Sequence, residues 1–439
     1  MKKGIRVYNL YPKLIGKMDN WINHFDRIQD MNFNWIYINP INASGFSGSD
    51  YAIKDYYLYN PMFIKGWPLK SEDYKEENLE KDRKKGNELL KKVCSEAEKR
   101  GIKVMYDIVI NHTAIDSPLV KLKPEWYERD ENGKVKNAGA DDNGTWVVWG
   151  DLAQIDNANS PDKENLWKYW LDMLLHYCDL GIRGFRCDAA YHVPADLWNY
   201  LISNVKEKYS DVIFVAETLG CTPTQLMNVS KAGFDIVMNS IKWWNYKDEW
   251  FLKDYKEWAG KYFSMTFPEN HDTERYYNEV NGNKDLAINK YAIQAYFCSS
   301  IATTIGFEFG FKRKIDVVQT NPEWWENANY DISKEISEIN KIKSQYQILQ
   351  EDNMIIPYDF HNEELFGFAK EALNKSEKIF VVANLSPYNW HNINIPNFYE
   401  IMNGDKIKDI SHGHKMETVF NNLDYSLKPG EVKLFYIKY

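Results

Sequence analysis

Residues 102–112 read IKVMYDIVINH. From Ile102 to Ile110 the run is almost continuously apolar, interrupted only by Lys103 and Asp107. A strand covered on both faces, as in a parallel sheet, has this composition. The run ends on two polar residues, Asn111 and His112. Before it lies a helical stretch with Leu89, Leu90, Val93, Cys94 and Ala97 on one face, closed by Gly101, the residue type favoured for a left-handed helix end.

Outward from this run, strands and helices alternate. GIRVYNL (4–10) and FNWIYIN (33–39) read as earlier strands, with a helix between them that Asp19 is placed to cap. Later strands are predicted at 182–187, 212–216, 234–238, 262–267 and 297–305. A helix capped by Ser160, with Pro161 at its first position, precedes the strand at 182, and another runs over 195–209. Eight strand–helix units over this length predict a (β/α)8 barrel. Residues 113–160 are polar and weakly periodic, too long for an ordinary loop, so they read as a subdomain inserted after the third strand. After a predicted helix at 332–349, short strand candidates at 354–360, 365–370, 378–384, 392–395 and 432–439 suggest an antiparallel β-sandwich. The predicted organisation is a barrel formed by 1–112 and 161–348, an inserted subdomain over 113–160, and a C-terminal β domain over 349–439.

Composition narrows the function. The net charge of −9 argues against nucleic acid and against an anionic membrane surface as partners. No apolar stretch is long enough to span a bilayer, and the N-terminal residues lack the apolar core of a secretion signal, so a cytoplasmic chain is expected. Five scattered cysteines fit buried thiols better than a disulfide framework. The aromatic content is 15%, with 16 Trp and 30 Tyr, which suits stacking on the flat faces of sugars. Trp146 and Trp149 in the insertion, Trp243, Trp244 and Trp250 after strand six, and Trp324 and Trp325 after strand eight are candidates for such contacts.

In a barrel of this type, chemistry sits at the C-terminal ends of the strands. There the sequence places Asp107, Asn111 and His112 (strand three), Arg186 and Asp188 (strand four), Glu217 (strand five), and His271 and Asp272 (strand seven). Each alone reads as a cap, a turn residue or an ion pair. Together they fit cleavage of a glycosidic bond with retention, which needs a carboxylate nucleophile and a carboxylic acid across the bond. Arg186, two residues before Asp188 and on the same face, is expected to keep Asp188 ionised. Glu217 needs burial or a like charge to stay protonated, and Asp272 is placed to supply that charge.

The motifs DIVINH (107–112), GFRCDAAYH (184–192), FVAETLG (214–220) and FPENHD (267–272) resemble, in order and spacing, those of the α-amylase family, glycoside hydrolase family 13. The resemblance extends over roughly residues 1–345. It implies Asp188 as nucleophile, Glu217 as general acid/base and Asp272 as transition-state stabiliser. Asn111, His112, Arg186 and His271 fall on positions lining the site, Tyr51 on the aromatic stacked against the sugar being cleaved, and Arg275 on an arginine reaching that sugar. Asp50 stands where the family usually has Gly, and Tyr191 where amylases often carry Lys. The loop TTIGFEFGF (303–311) keeps a glutamate, Glu308. Asn111 and His192 match two positions of a structural calcium site, with Gln154 or Asp156 in the third according to alignment. No cofactor is required by the chemistry itself. The activity implied is hydrolysis of α-1,4-glucans, such as maltodextrin, starch fragments or glycogen. The alternative is transglycosylation by the same site, as a 4-α-glucanotransferase or a phosphate-dependent maltosyltransferase. A non-enzymatic, sugar-binding barrel is disfavoured because all three carboxylates are kept.

Overall fold

The computed structural model describes residues 4–142, 145–419 and 421–439, without the side chains at 140–142 and 146. Eight parallel strands close into a barrel: β1 (Arg6–Asn9), β2 (Trp35–Ile38), β3 (Lys103–Ile108), β4 (Gly184–Cys187), β5 (Ile213–Ala216), β6 (Ile236–Met238), β7 (Phe263–Thr266) and β8 (Ser300–Thr304). Each pairs with its sequence neighbours, and β8 returns to β1. The strands are short because barrel staves need only span the layers of side chains inside. Those layers are apolar: Val7, Trp35, Met105, Val215, Met238 and Met265 form one cluster within the barrel.

The helices that cover the strands include α1 (Glu76–Glu98), α2 (Lys163–Asp179), α3 (Ala195–Lys208), α4 (Pro223–Lys231), α5 (Glu249–Trp258), α6 (Lys284–Phe297) and α7 (Ser333–Gln345). Gly101 and Gly181, just beyond α1 and α2, take φ of +70° and +105°, as a left-handed helix exit requires. Two expected caps are displaced. The helix near Asp19 begins at Met18, so Asp19 lies in its first turn and binds Lys92 at 2.8 Å instead. Ser160 accepts the Asp162 N–H at 3.2 Å, but α2 starts only at Lys163, because the Ser160 hydroxyl also holds the Glu125 carbonyl of the insertion.

The insertion is tied to the barrel by a strand at His112–Ala114, which pairs with Leu152–Gln154, and it carries a hairpin of Gly139–Asp142 with Thr145–Val148. The helix expected over 332–349 is broken: α7 ends at Gln345 and a 3-10 turn follows at Gln347–Gln350. The break lets buried Lys343 donate to three carbonyls, those of Ala295, Cys298 and Leu349.

The C-terminal domain holds β9 (Ile355–Tyr358), β10 (Leu365–Glu371), β11 (Glu377–Asn384), β12 (His391–Ile395), β13 (Lys408–Asp409), β14 (Leu423–Leu427) and β15 (Val432–Lys438). Five form an antiparallel sheet in the order β9-β10-β11-β15-β13, and β12 pairs with β14. Phe380, Phe398, Phe435, Ile393 and Leu423 fill the space between these layers. The domain meets the barrel at the end of α6. There Lys370 of β10 donates to the Tyr296 and Phe297 carbonyls at 3.1 and 3.0 Å, beside the carbonyls already held by Lys343. Two buried lysines thus donate to the open carbonyls at the end of one helix. No helix of the described residues is long and apolar enough to cross a membrane.

Candidate active site

The register of β3 and β4 sets Arg186 directly beside Asp107. Both side chains are buried on the barrel's inner side at its C-terminal rim. Arg186 Nη1 donates to Asp107 Oδ1 at 3.0 Å and to Asp188 Oδ1 at 2.7 Å, and Nη2 lies 2.9 Å from Glu217 Oε1. One guanidinium therefore binds three carboxylates, and its planar fork is what makes that possible. Asp107 also accepts the hydroxyls of Tyr37 at 2.5 Å and Tyr51 at 2.7 Å. Burial, only partly opposed by Arg186, pushes the Asp107 carboxyl up to about 7.

Asp188 and Glu217 are held from the backbone as well. After Asp188 the chain turns through Ala189, a non-glycine residue at φ +39° and ψ +49°. That left-handed turn aims the Ala189 N–H at Glu217 Oε2, 2.7 Å away. A strained backbone of this kind persists only where its surroundings enforce it. Burial raises the carboxyl of Asp188, opposed chiefly by the Arg186 charge. The Arg186 charge favours the ionised form of Asp188, as expected, but it works against desolvation, which is the larger effect. Burial also raises Glu217; Arg186 opposes it, while Asp188 and Asp272 add to it.

Across the rim, Asn270 Oδ1 accepts the N–H groups of Asp272 and Thr273, each at 3.0 Å, which fixes the turn carrying Asp272. His271 Nε2 lies 2.6 Å from the Tyr51 hydroxyl and 3.1 Å from Asp272 Oδ2. Burial lowers the His271 pKa, so this is a hydrogen-bonded imidazole more than an ion pair. One face of the Tyr51 ring stacks on His271 with centroids 5.4 Å apart. His112 is buried, its pKa pushed down to about 4, with Nε2 at 3.1 Å from the Tyr51 carbonyl. Tyr51, His112, Arg186, Asp188, Glu217, His271 and Asp272 are therefore brought together.

Arg275 is not. Its guanidinium is buried and spent on Glu269 at 2.6 Å and on the carbonyls of Ile305 and Arg313 at 2.9 Å. It pins the loops after β7 and β8 to each other. Glu308 is likewise absent from the rim, buried against Tyr8 and Arg27. Asp50 pairs with buried Lys13 at 2.9 Å and accepts the Tyr11 hydroxyl at 2.8 Å.

Of the tryptophans, Trp149 and Trp243 border a cleft of about 810 Å³ with Glu217 and Asp272. Trp244 is core, packed on Phe251 and Phe366. Trp250 packs edge-on against Phe251. Trp324 lies under Arg313 at 4.1 Å, and Trp325 against Phe311 and His24. The side chain of Trp146 lies outside the described residues.

Asn111 Oδ1 is buried without a partner among the described residues, an oxygen that a cation could use. His192 borders a groove with Gln154 and Asp156. Yet among the described residues no three His, Cys, Asp or Glu side chains converge, and Asp156 Oδ1 already accepts the Asn159 N–H at 2.8 Å. Calcium seeks six to eight oxygens, several of them charged. These residues do not fit it.

Asp107 as a hub and Tyr37 as its partner are not legible in the sequence. The available signal is a single carboxylate inside the apolar run 102–110, which stands directly opposite Arg186 only once β3 and β4 are paired.

The chain thus carries paired carboxylates, an arginine bridge and a histidine–aspartate turn on the C-terminal rim of an eight-stranded barrel. Comparison with known proteins finds amylases and maltosyltransferases among the chains similar to it. Residues 1–137 match the model of the glucanotransferase domain of glycogen debranching enzyme. The chain is 24% identical to an α-1,4-glucan:maltose-1-phosphate maltosyltransferase of Picrophilus torridus, over 95% of this chain and 66% of that protein. It is 24% identical to a β/α-amylase of Paenibacillus polymyxa, over 96% and 34%. The chain thus spans between about one third and two thirds of the length of these relatives. Among solved structures, an α-amylase from Lactobacillus plantarum superposes with a TM-score of 0.77 at 21% identity, covering 99% and 98% of the two chains. A maltogenic α-amylase from Thermotoga neapolitana gives 0.75 at 18%, covering 99% of each. At these identities the structural likeness establishes the fold.

Proposed function

We propose that the chain cleaves α-1,4-glucosidic bonds with retention, by the chemistry of glycoside hydrolase family 13. The observation that carries this reading is the single guanidinium shared by Asp188 and Glu217. It fixes two carboxylates against one another on the rim, which retaining chemistry demands. Asp188 attacks the anomeric carbon and forms a glycosyl ester. Glu217 gives its proton to the departing oxygen, then takes one from the incoming acceptor. Asp272, half exposed in the cleft, faces the positive charge that develops on the sugar ring. His271 and Tyr51 order the wall beneath.

The acceptor can be water or a sugar hydroxyl. Exposed Trp149 and Trp243 at the cleft favour retention of a leaving or incoming sugar, which supports transglycosylation as the second reading. The experiment is the time course of products from maltoheptaose, with and without phosphate. Shorter sugars that sum to the input mean hydrolysis, and products longer than the substrate mean transfer. A sugar phosphate formed only with phosphate would identify phosphate as acceptor. No turnover, or full activity in Asp188→Asn, would refute the assignment.

A further inference from the structure

The cleft beside the catalytic carboxylates opens toward one part of the rim. Trp149 of the insertion, Leu219 after β5, Lys242 and Trp243 after β6 and Glu274 after β7 border it together with Glu217. Among the described residues its lining includes none from the loops after β1, β2 or β8. Those three loops are bound to one another instead. Lys13, in the short helix Pro12–Ile15 after β1, donates to the Gly48 carbonyl of the loop after β2 at 2.8 Å. It also donates to the Val317 and Val318 carbonyls of the loop after β8, at 2.6 and 3.3 Å. Asp50 completes the staple: its carboxylate takes Lys13 at 2.9 Å, and its N–H donates to the Val317 carbonyl at 3.0 Å. The surfaces around it meet closely. A Cβ on Gly16, at φ +78°, would stand 2.8 Å from Pro322, so glycine is what lets the loops after β1 and β8 approach this far. Trp67 donates to Glu323 at 3.1 Å between the loops after β2 and β8.

This wall adjoins the reaction centre. The Tyr11 hydroxyl donates to Asp50 at 2.8 Å, and the Tyr11 ring stacks on His271 with centroids 6.4 Å apart. His271 also stacks on Tyr51 and lies against Asp272. The side chains of Lys13 and Asp50 are each 3% exposed, so swinging the wall open would strip a buried charge of its partner. It is a fixed part of the rim and not a lid.

The chemistry tells which end of the substrate meets the wall. The acid protonates the departing oxygen, so Glu217 stands on the leaving-group side of the bond. Glu217 borders the open cleft, so the leaving part of the glucan lies there. The part that becomes attached to Asp188 lies on the opposite side, toward Tyr51 and the wall. In an α-1,4-glucan the attacked anomeric carbon belongs to the sugar nearer the non-reducing end.

We infer that the non-reducing end of the glucan stops at the wall stapled by Lys13 and Asp50, so that this chain removes short units from that end and does not cut internal bonds. The inference rests on the proposed retaining chemistry and adds to it the end of the substrate that is used. Lys13 and Asp50 act through the loops they hold, as positioning residues.

The test compares p-nitrophenyl α-maltoheptaoside with its non-reducing end free and with that end blocked as the 4,6-benzylidene acetal. Products are followed by chromatography from the earliest turnover. The free substrate should yield one short saccharide of constant length. Blocking should lower the rate by about 100-fold or more, the scale of loss when the reacting atoms cannot reach their place. In Lys13→Met/Asp50→Leu the three loop carbonyls lose their donor, and the blocked-to-free rate ratio should rise about tenfold. The ratio is taken within one protein, so loss of folded material cancels. Equal rates on the two substrates, with several product lengths at once, overturn the inference and leave the retaining chemistry standing. An unchanged ratio in the double variant overturns the part given to Lys13 and Asp50. If neither substrate is cleaved, the retaining chemistry falls, and the wall is judged by calorimetry on the same chain. Free maltotriose should then bind about tenfold tighter than its blocked form, and equal affinity overturns the wall.

Discussion

Nη2 of Arg186 lies 2.9 Å from Oε1 of Glu217. The group expected to act as the acid is thus held by a cation that favours its ionised form, while burial, Asp188 and Asp272 push it toward the protonated form. Replacing Arg186 by Lys keeps the charge and loses the fork. A compact ammonium cannot serve Asp107, Asp188 and Glu217 together, so kcat/KM should fall by roughly 10²-fold or more. Steady-state kinetics beside circular dichroism decides it, and an unchanged kcat/KM in a folded variant contradicts the bridge.

The rate should be bell-shaped in pH. Asp188 must be ionised, and its carboxyl is raised by burial above the ordinary 3.8, so activity falls with acid earlier than a solvated aspartate would allow. Glu217 must carry a proton and is raised above 4.5, so activity falls again as that proton is lost. Asp272 is one cause of the Glu217 shift. Asp272→Asn should therefore move the alkaline limb to lower pH as well as reduce the rate. Profiles of kcat/KM on an aryl maltoside report both limbs, and an alkaline limb that stays in place would exclude this coupling.

Lys13 and Asp50 form a pair with side chains only 3% exposed, and Lys13 also donates to the carbonyls of Gly48, Val317 and Val318. Lys13→Met leaves Asp50 buried without its counter-charge and should destabilise the fold by about 3–5 kcal/mol. Adding Asp50→Leu should recover most of the loss, because the penalty lies in the orphaned charge. Thermal melts of the three proteins test this, and additive destabilisation in the double variant would count against it.

Chelation should leave the melting temperature unchanged. A bound ion would raise it by mass action, and its removal would lower it. Among the described residues no three His, Cys, Asp or Glu side chains converge around Asn111 and His192, so the charged ligands calcium prefers are lacking there. A drop in melting temperature with EDTA, restored by calcium, would show that the ion finds ligands there after all.

The barrel was legible because buried parallel strands write apolar runs such as 102–110 and 212–216, and because rim residues follow each run directly. Directions of side chains were not legible. Arg275 sits three residues past a strand-end motif, yet its guanidinium turns to Glu269, since that buried carboxylate also requires a partner. Asp107 became a hub only through register, which one strand's sequence does not contain. In the C-terminal domain, β14 is not among the strands expected from sequence, and among the described residues it pairs with β12. Its identity as a strand comes from the layer beneath it.

The two lysines at the end of α6 bear on how this molecule can be divided. A fragment ending near residue 348 keeps every barrel strand, and the change from helix–strand alternation to short turns makes that cut look natural. It nonetheless removes Lys370 and uncovers the Tyr296 and Phe297 carbonyls, which face apolar surroundings. The seam in topology is therefore not a seam in stability. Barrel and sheet are expected to melt as one piece, and a chimera that exchanges the sheet must bring a hydrogen-bond donor to the same point in space.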